Sequence, residues 1–354
     1  MVGALWLSAC SGSTGETGAA GRTGEPGAAG HPGKQGAPGA PGKPGPTGSQ
    51  GIQGTPGVPF VTELQVPGAN FFPVGLSSSK DGTLFVASAG TGEVLKFPPG
   101  ANVPTVVVPA SGAVAPNLLV DDGASTLYLC VDKFAGPGFS NPAASVNAYD
   151  LSGKLVQSYP LPNQGTSLCE DFAFDGSHNL YVTDAFLGVV YILPAKATAL
   201  QVWTQDVAFT STDSSVPPFG AHGIVFDGTS NLFVDNFNTS TLYRIPIESD
   251  GSAGTAVPVT VTPALENPES LRMLDAHTLV VGQGFGGGSA NVSQLSVAAN
   301  DTATATILIN NLQGASSVAL MGDGSLWVTQ SQTAAFVFGT PPSLPFLLSH
   351  LDAQ

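Results

Sequence analysis

The chain has 354 residues, of which 42% are hydrophobic and only 10% charged, with 45 glycines and 29 prolines. Residues 1–59 carry a charge of +1 and the whole chain −15, so the remainder holds seven Lys/Arg against 23 Asp/Glu. So few cations cannot neutralise a phosphate backbone, which argues against a nucleic-acid partner. No apolar run reaches the roughly 18 residues that a membrane-spanning helix needs.

Residues 1–10 form a short apolar run closing on Leu7-Ser8-Ala9-Cys10. This resembles the bacterial lipobox, a small-residue cleavage site after an apolar stretch. The resemblance implies a signal peptide over 1–10, acylation of Cys10, and a cell-envelope protein held to its membrane only by lipid. The run departs from the pattern in having no Lys or Arg before it.

From Gly12 to Gly57 glycine stands at every third position, sixteen times without a miss, and proline fills the third slot of seven triplets. Only glycine fits where three polyproline-II strands meet at a common axis, so this G-X-Y period marks residues 11–59 as a collagen-like stalk. Sixteen triplets admit two readings, a triple helix that makes a homotrimer or a semi-rigid spacer of single chains. A trimer presents three heads together and gains avidity without new contacts.

Residues 60–354 repeat about every 50 residues, a period typical of propellers and solenoids. Each copy has a β-branched apolar run, a tight turn and a second apolar run that reads Leu-aromatic-Val in four of the six, as in 169–184 and 221–236. Six copies can be overlaid, and third and fourth strands follow at 189–193, 241–246, 256–261 and 306–309. Four antiparallel strands per copy predict an all-β fold, a six-bladed β-propeller preceded by the polyproline-II stalk. Phe85, Tyr128, Tyr181, Phe233 and Trp327 share one column and read as packing between blades. Asp175 and Asp227 read as turn residues. Cys130 and Cys169 fall in neighbouring copies and read either as a disulfide or as two buried thiols.

In an up-and-down blade the head of the first strand and the end of the second lie on the same face. The six first-strand heads are Val74, Asn117, Glu170, His222, Glu269 and Ser316, which converge on the channel mouth in this geometry. The second-strand ends add Asp132, Asp184, Asn236, Gln283 and Gln330. Glu170, His222 and Glu269 are candidate ligands for a divalent cation, calcium or zinc, while Asn117, Asp184, Asn236 and Gln283 are candidate ligand-binding groups. The loops 135–142, 210–220 and 284–291 overhang the same mouth.

The run 221–236, followed by Leu242-Tyr-Arg-Ile-Pro, resembles the senescence marker protein/gluconolactonase/luciferin-regenerating family and is similar to NHL-repeat propellers. The resemblance implies a divalent cation held by acidic and amide side chains from several blades. Glu269 takes the place of the family's Asp and His222 of its Asn, but Val74 stands where a first-blade Glu is needed, with Glu170 as the substitute. No Gly-x-Ser-x-Gly, His-Glu-x-x-His, Cys-x-x-Cys or phosphate-loop spacing occurs.

Two functions follow. One is a binding or adhesion head, with a small-molecule, glycan or protein ligand at the propeller mouth. The other is a metal-dependent lactonase or esterase in which Glu170 acts as general base.

Overall fold

The computed structural model describes residues 63–134, 143–163, 165–211, 219–285 and 289–352. The chain divides into two units, Met1–Thr55 and Pro56–Gln354. Cys10, the G-X-Y tract and most of the three overhanging loops lie outside the described residues.

Strand β1 (Glu63–Val66) precedes a first blade of β2 (Pro73–Ser78), β3 (Leu84–Ser88), β4 (Val94–Phe97) and β5 (Thr105–Val108). The second blade is β6 (Leu118–Asp121), β7 (Thr126–Lys133), β8 (Ala143–Asp150) and β9 (Leu155–Pro160). The third is β10 (Cys169–Phe174), β11 (Leu180–Asp184), β12 (Val189–Leu193) and β13 (Gln201–Gln205). The fourth is β14 (Ala221–Phe226), β15 (Asn231–Asn236), β16 (Thr241–Pro246) and β17 (Val257–Thr262). The fifth is β18 (Pro268–Asp275), β19 (Thr278–Gln283), β20 (Ala290–Ala298) and β21 (Thr302–Leu312). The sixth is β22 (Val318–Leu320), β23 (Leu326–Gln330) and β24 (Phe346–Leu351), completed by β1.

Closure comes from β1, which pairs antiparallel with β24 from Glu63↔Ser349 to Val66↔Phe346. The first strand of the described residues therefore fills the edge of the last sheet, and burial of Leu64 and Val66 fixes its register. Inner strands β2, β6, β10, β14, β18 and β22 each pack on the next, and β22 returns to β2. The structure departs from six separate sheets in one place. Strand β21 has 11 residues, and its start pairs in parallel with β17, joining the fourth and fifth blades into one eight-stranded sheet. That pairing satisfies edge groups of β17 that the blade itself leaves open.

The core lies between blades. Tyr181, Ala173 and Val190 of the third blade pack on Ile224, Leu232 and Val234 of the fourth, and comparable clusters fill the other junctions. Phe85, Tyr181, Phe233 and Trp327 are buried in these layers and Tyr128 is half-buried, as their shared column predicts. Asp175 and Asp227 each accept the N–H groups two and four residues on, at 2.8–3.0 Å, so both serve turn geometry. The two cysteines form a disulfide between β7 and β10, which resolves the alternative that the spacing left open. The chain unfolded without reductant should leave Cys130 and Cys169 unalkylated in a mass-spectrometric assay, with both labelled once reductant is added.

One irregularity positions the mouth. The inner strands β2, β10, β14 and β18 all shift register at their first residues, between Pro73 and Gly75, Cys169 and Phe172, Ala221 and Ile224, and Pro268 and Ser270. A bulge places two residues opposite one and re-aims side chains.

Candidate functional site at the channel mouth

Regular strands send alternate side chains to opposite faces. At the bulges this alternation breaks, so consecutive residues such as Glu170 and Asp171 both serve the channel. The first forms part of the mouth, and the second bonds to inner strands of other blades one tier below.

The mouth is a cavity of about 50 Å³ lined by Val74, Glu170, His222, Glu269 and Ser316, five of the six first-strand heads. Its walls are apolar and include Phe219, Phe237, Phe285, Phe336 and Val337. The last two come from a six-residue helix, α1 (Thr333–Phe338), too short to leave a helical period in the sequence. Phe237 is the centre of the aromatic wall. It stacks on the His222 ring at 5.3 Å between centroids and meets Phe219 and Phe285 edge-on at 5.6 and 5.4 Å.

His222 Nδ1 lies 3.0 Å from the backbone oxygen of Glu269, and Nε2 lies 3.4 Å from Glu170 Oε1. Burial drives the imidazole pKa down to about 4. The ring is therefore neutral near pH 7, with its proton on Nδ1 to serve the carbonyl and a lone pair on Nε2 facing Glu170. Burial also pushes Glu269 up to about 7, against the lowering effect of the Ser316 hydroxyl that donates to Oε2. Its other oxygen, Oε1, is buried and has no hydrogen-bond partner among the described residues. Glu170 is raised well above the usual carboxylate range, first by burial and then by Asp132, Glu269, Asp171 and Asp235.

Asn117, read in the sequence as a ligand-binding group, is not part of this lining. Its amide donates to Asp171 Oδ1 at 2.8 Å and its oxygen accepts from Leu118 N at 2.9 Å. Asp171 Oδ2 in turn accepts from Ile224 N at 3.3 Å and Arg272 Nη1 at 3.1 Å. Ser317 Oγ lies 3.5 Å from Asn117 Oδ1 and accepts from Leu76 N at 3.1 Å. Leu76, Asn117, Asp171, Ile224, Arg272 and Ser317 come from all six blades, so this tier is a hydrogen-bonded girdle around the channel. Close approach here requires glycine. A Cβ on Gly75 would fall 2.7 Å from Asn117 Cα, and one on Gly223 would fall 2.5 Å from Asp235 Oδ2.

The second-strand ends also depart from the sequence reading. Asp184 Oδ1 accepts the N–H groups of Leu168, Phe186 and Leu187 at 3.1–3.2 Å, and Oδ2 accepts the Tyr191 hydroxyl. Asn236 donates to the carbonyls of Ala208 and Thr210. Gln283 accepts from Glu266 N and donates to Asn291 and Ser293. These three groups bond the connections at the ends of their own blades and are not among the lining of the mouth cavity. We expect Asp184→Ala to cost about 1–3 kcal/mol by leaving buried N–H donors unpaired. Urea unfolding measures this, and ligand binding at the mouth should be unchanged.

The candidate metal residues Glu170, His222 and Glu269 line one cavity. Glu170 and His222 approach one another, but Glu269 gives one oxygen to Ser316, and Val74 supplies nothing to an ion from the first blade. Among the described residues no three His, Cys, Asp or Glu side chains are grouped closely enough to share a cation. Asp171, the centre of the girdle, is not among the candidates that the repeat alignment singles out. The bulge that turns it inward leaves no mark in residue type.

Residues 9–60 match the collagen triple helix repeat family (20 copies). No curated protein matches the chain. Among solved structures it is similar to a luciferin-regenerating enzyme, at TM-score 0.58 and 12% identity over 82% of this chain and 95% of that one. A gluconolactonase-like protein gives TM-score 0.57 at 12% identity over 81% and 91%. Virginiamycin B lyase from Staphylococcus aureus gives 0.52 at 12% identity over 81% and 97%. At such identity the likeness establishes the propeller fold alone.

Proposed function

We propose that this chain is a ligand-binding head carried on a collagen-like stalk, acylated at Cys10 and displayed on the bacterial cell envelope. The observation that carries the reading is the mouth itself, an apolar, aromatic-walled recess with Glu170, His222 and Glu269 gathered at one place. Pockets of this composition, mostly apolar with a few convergent polar groups, are where small ligands bind. The lactonase reading rests on fold analogy, and fold does not carry function. Val74 stands where the gluconolactonase family needs a first-blade carboxylate, and the Ser316 hydroxyl holds Glu269 Oε2.

The test is a thermal-shift screen of the full chain against a chemically mixed library of small organic molecules. A ligand of the mouth raises the melting midpoint of the parent chain and leaves Phe237→Ala unshifted. Hits that shift both proteins equally, or no hits at all, overturn the reading. Labelling cells with a fatty-acid analogue tests the anchor, with incorporation lost in Cys10→Ala. Sedimentation equilibrium decides between a trimeric stalk and a single-chain spacer.

A further inference from the structure

We propose that the mouth takes an apolar primary amine in its protonated form, a hydrocarbon or aryl group ending in –CH2–NH3⁺. The inference rests on the binding-head reading and adds the chemical class of the ligand.

Glu170, His222 and Glu269 line one cavity, and no Lys or Arg is among its described lining residues. Glu269 Oε1 is buried without a partner among the described residues, in a side chain only 3% exposed overall. Buried carboxylate oxygens are almost always hydrogen-bonded, so an unpaired one at a cavity wall marks the place of an external donor. His222 uses Nδ1 on a backbone carbonyl, which leaves Nε2 as an acceptor. Glu170 Oε1 stands 3.4 Å from that nitrogen. A primary ammonium has three N–H donors and no acceptor, so it can supply the donor that Glu269 Oε1 lacks. The Arg272 guanidinium is not part of the cavity lining; its Nη1 donates to Asp171 and to the Leu271 carbonyl in the tier below, while Nη2 has no hydrogen-bond partner among the described residues.

Size and walls agree with this. The cavity, with about 50 Å³ open to the centre of a water-sized probe, admits a small head group at its polar end. Phe219, Phe237 and Phe285 present aromatic surface beside it. Ring faces attract a cation within about 6 Å of their centroids, and ring edges accommodate the apolar remainder. An anion would meet Glu170 and Glu269. A neutral alcohol offers a donor to Glu269 Oε1 but no charge.

The experiment is isothermal titration calorimetry of the full chain with three probes of one shape: 2-phenylethylammonium, 2-phenylethanol and 3-phenylpropanoate. The expected result is binding of the ammonium at least tenfold tighter than the alcohol, with no binding of the carboxylate. Glu269→Gln should weaken the ammonium at least tenfold while leaving the alcohol unchanged, and circular dichroism should show the variant folded. Phe237→Leu should weaken both. Equal binding of alcohol and ammonium, or a Glu269→Gln variant that binds the ammonium as the parent does, overturns the charge class and leaves the binding-head reading standing. Absence of ammonium binding also overturns the charge class, and the library screen then decides the wider reading separately.

Discussion

Replacing Arg272 by methionine should lower the unfolding free energy by about 3–5 kcal/mol, the cost of leaving a buried carboxylate without its cation. For a propeller of this size that is a fall in melting midpoint on the order of 10 °C. The side chain of Arg272 is 14% exposed and that of Asp171 is 1% exposed. Burial raises the pKa of Asp171 and Arg272 opposes the rise, which shows how the two effects compete at one atom pair. Without the guanidinium Asp171 must either keep an uncompensated charge or take up a proton, and both disturb its bonds to Asn117 and Ile224. The damage is therefore not local, because the girdle joins all six inner strands. Methionine keeps most of the hydrocarbon stem, so lost packing is a minor part of the effect. Urea unfolding of Arg272→Met, Asp171→Asn and the double variant measures the coupling. The double variant should be closer to the parent than the sum of the single losses predicts, and simple additivity would refute the girdle.

The propeller is legible in the sequence because its signal repeats. Recurrent tight turns, Leu-aromatic-Val runs in four of the six copies and an aromatic column shared by five all follow from burial on both faces of inner and middle strands. The same logic finds Glu170, His222 and Glu269, which the structure brings to one cavity. It fails one residue further on. Asp171 bonds to three other blades in the channel, yet a rule of strict alternation sends it away from the axis. Only the bulges at β10, β14 and their counterparts reverse this, and a bulge is a backbone event with no obligatory residue type. The second-strand ends mislead for a different reason. Asp184, Asn236 and Gln283 do lie at blade ends as the topology demands, but buried N–H and C=O groups of the adjoining loops claim their polar atoms first. Sequence places a residue on a face, whereas the local backbone decides which way its side chain is spent. The parallel pairing of β17 with β21 is likewise invisible, because it depends on how far the long β21 overshoots its own blade.

The protein should be more stable near pH 6 than near pH 8, and the carboxyl groups of the channel set the sign. In the folded chain Glu269 keeps its proton up to about pH 7, whereas in the unfolded chain it loses it near the ordinary value of 4.5. Between those limits the folded state binds more protons, so unfolding becomes easier as pH rises. A difference of that size corresponds to roughly 3 kcal/mol, complete once pH passes 7, at about 1.4 kcal/mol for each pH unit. Glu170, Asp132 and Asp235 are shifted in the same direction, each chiefly by burial, and steepen the loss. His222 works the other way. Its folded value is about 4 against an ordinary 6.5, so the unfolded chain takes up the proton first and stability declines as pH falls through that window. Above 6.5 the histidine contributes no slope and the carboxyl groups act unopposed. On the acid side the surface turns Asp81, Asp227 and Asp323, lowered by their own hydrogen bonds or those of their turns, lose their contribution as they protonate. Stability should therefore peak on the acid side of neutrality and fall towards both extremes. Urea midpoints across pH 5 to 8.5 measure the curve, and Glu269→Gln, which cannot ionise, should flatten the limb between pH 6 and 8. A parent chain whose stability does not fall through that interval would mean that Glu269 and its neighbours ionise freely, and that the mouth is far better hydrated than its burial implies.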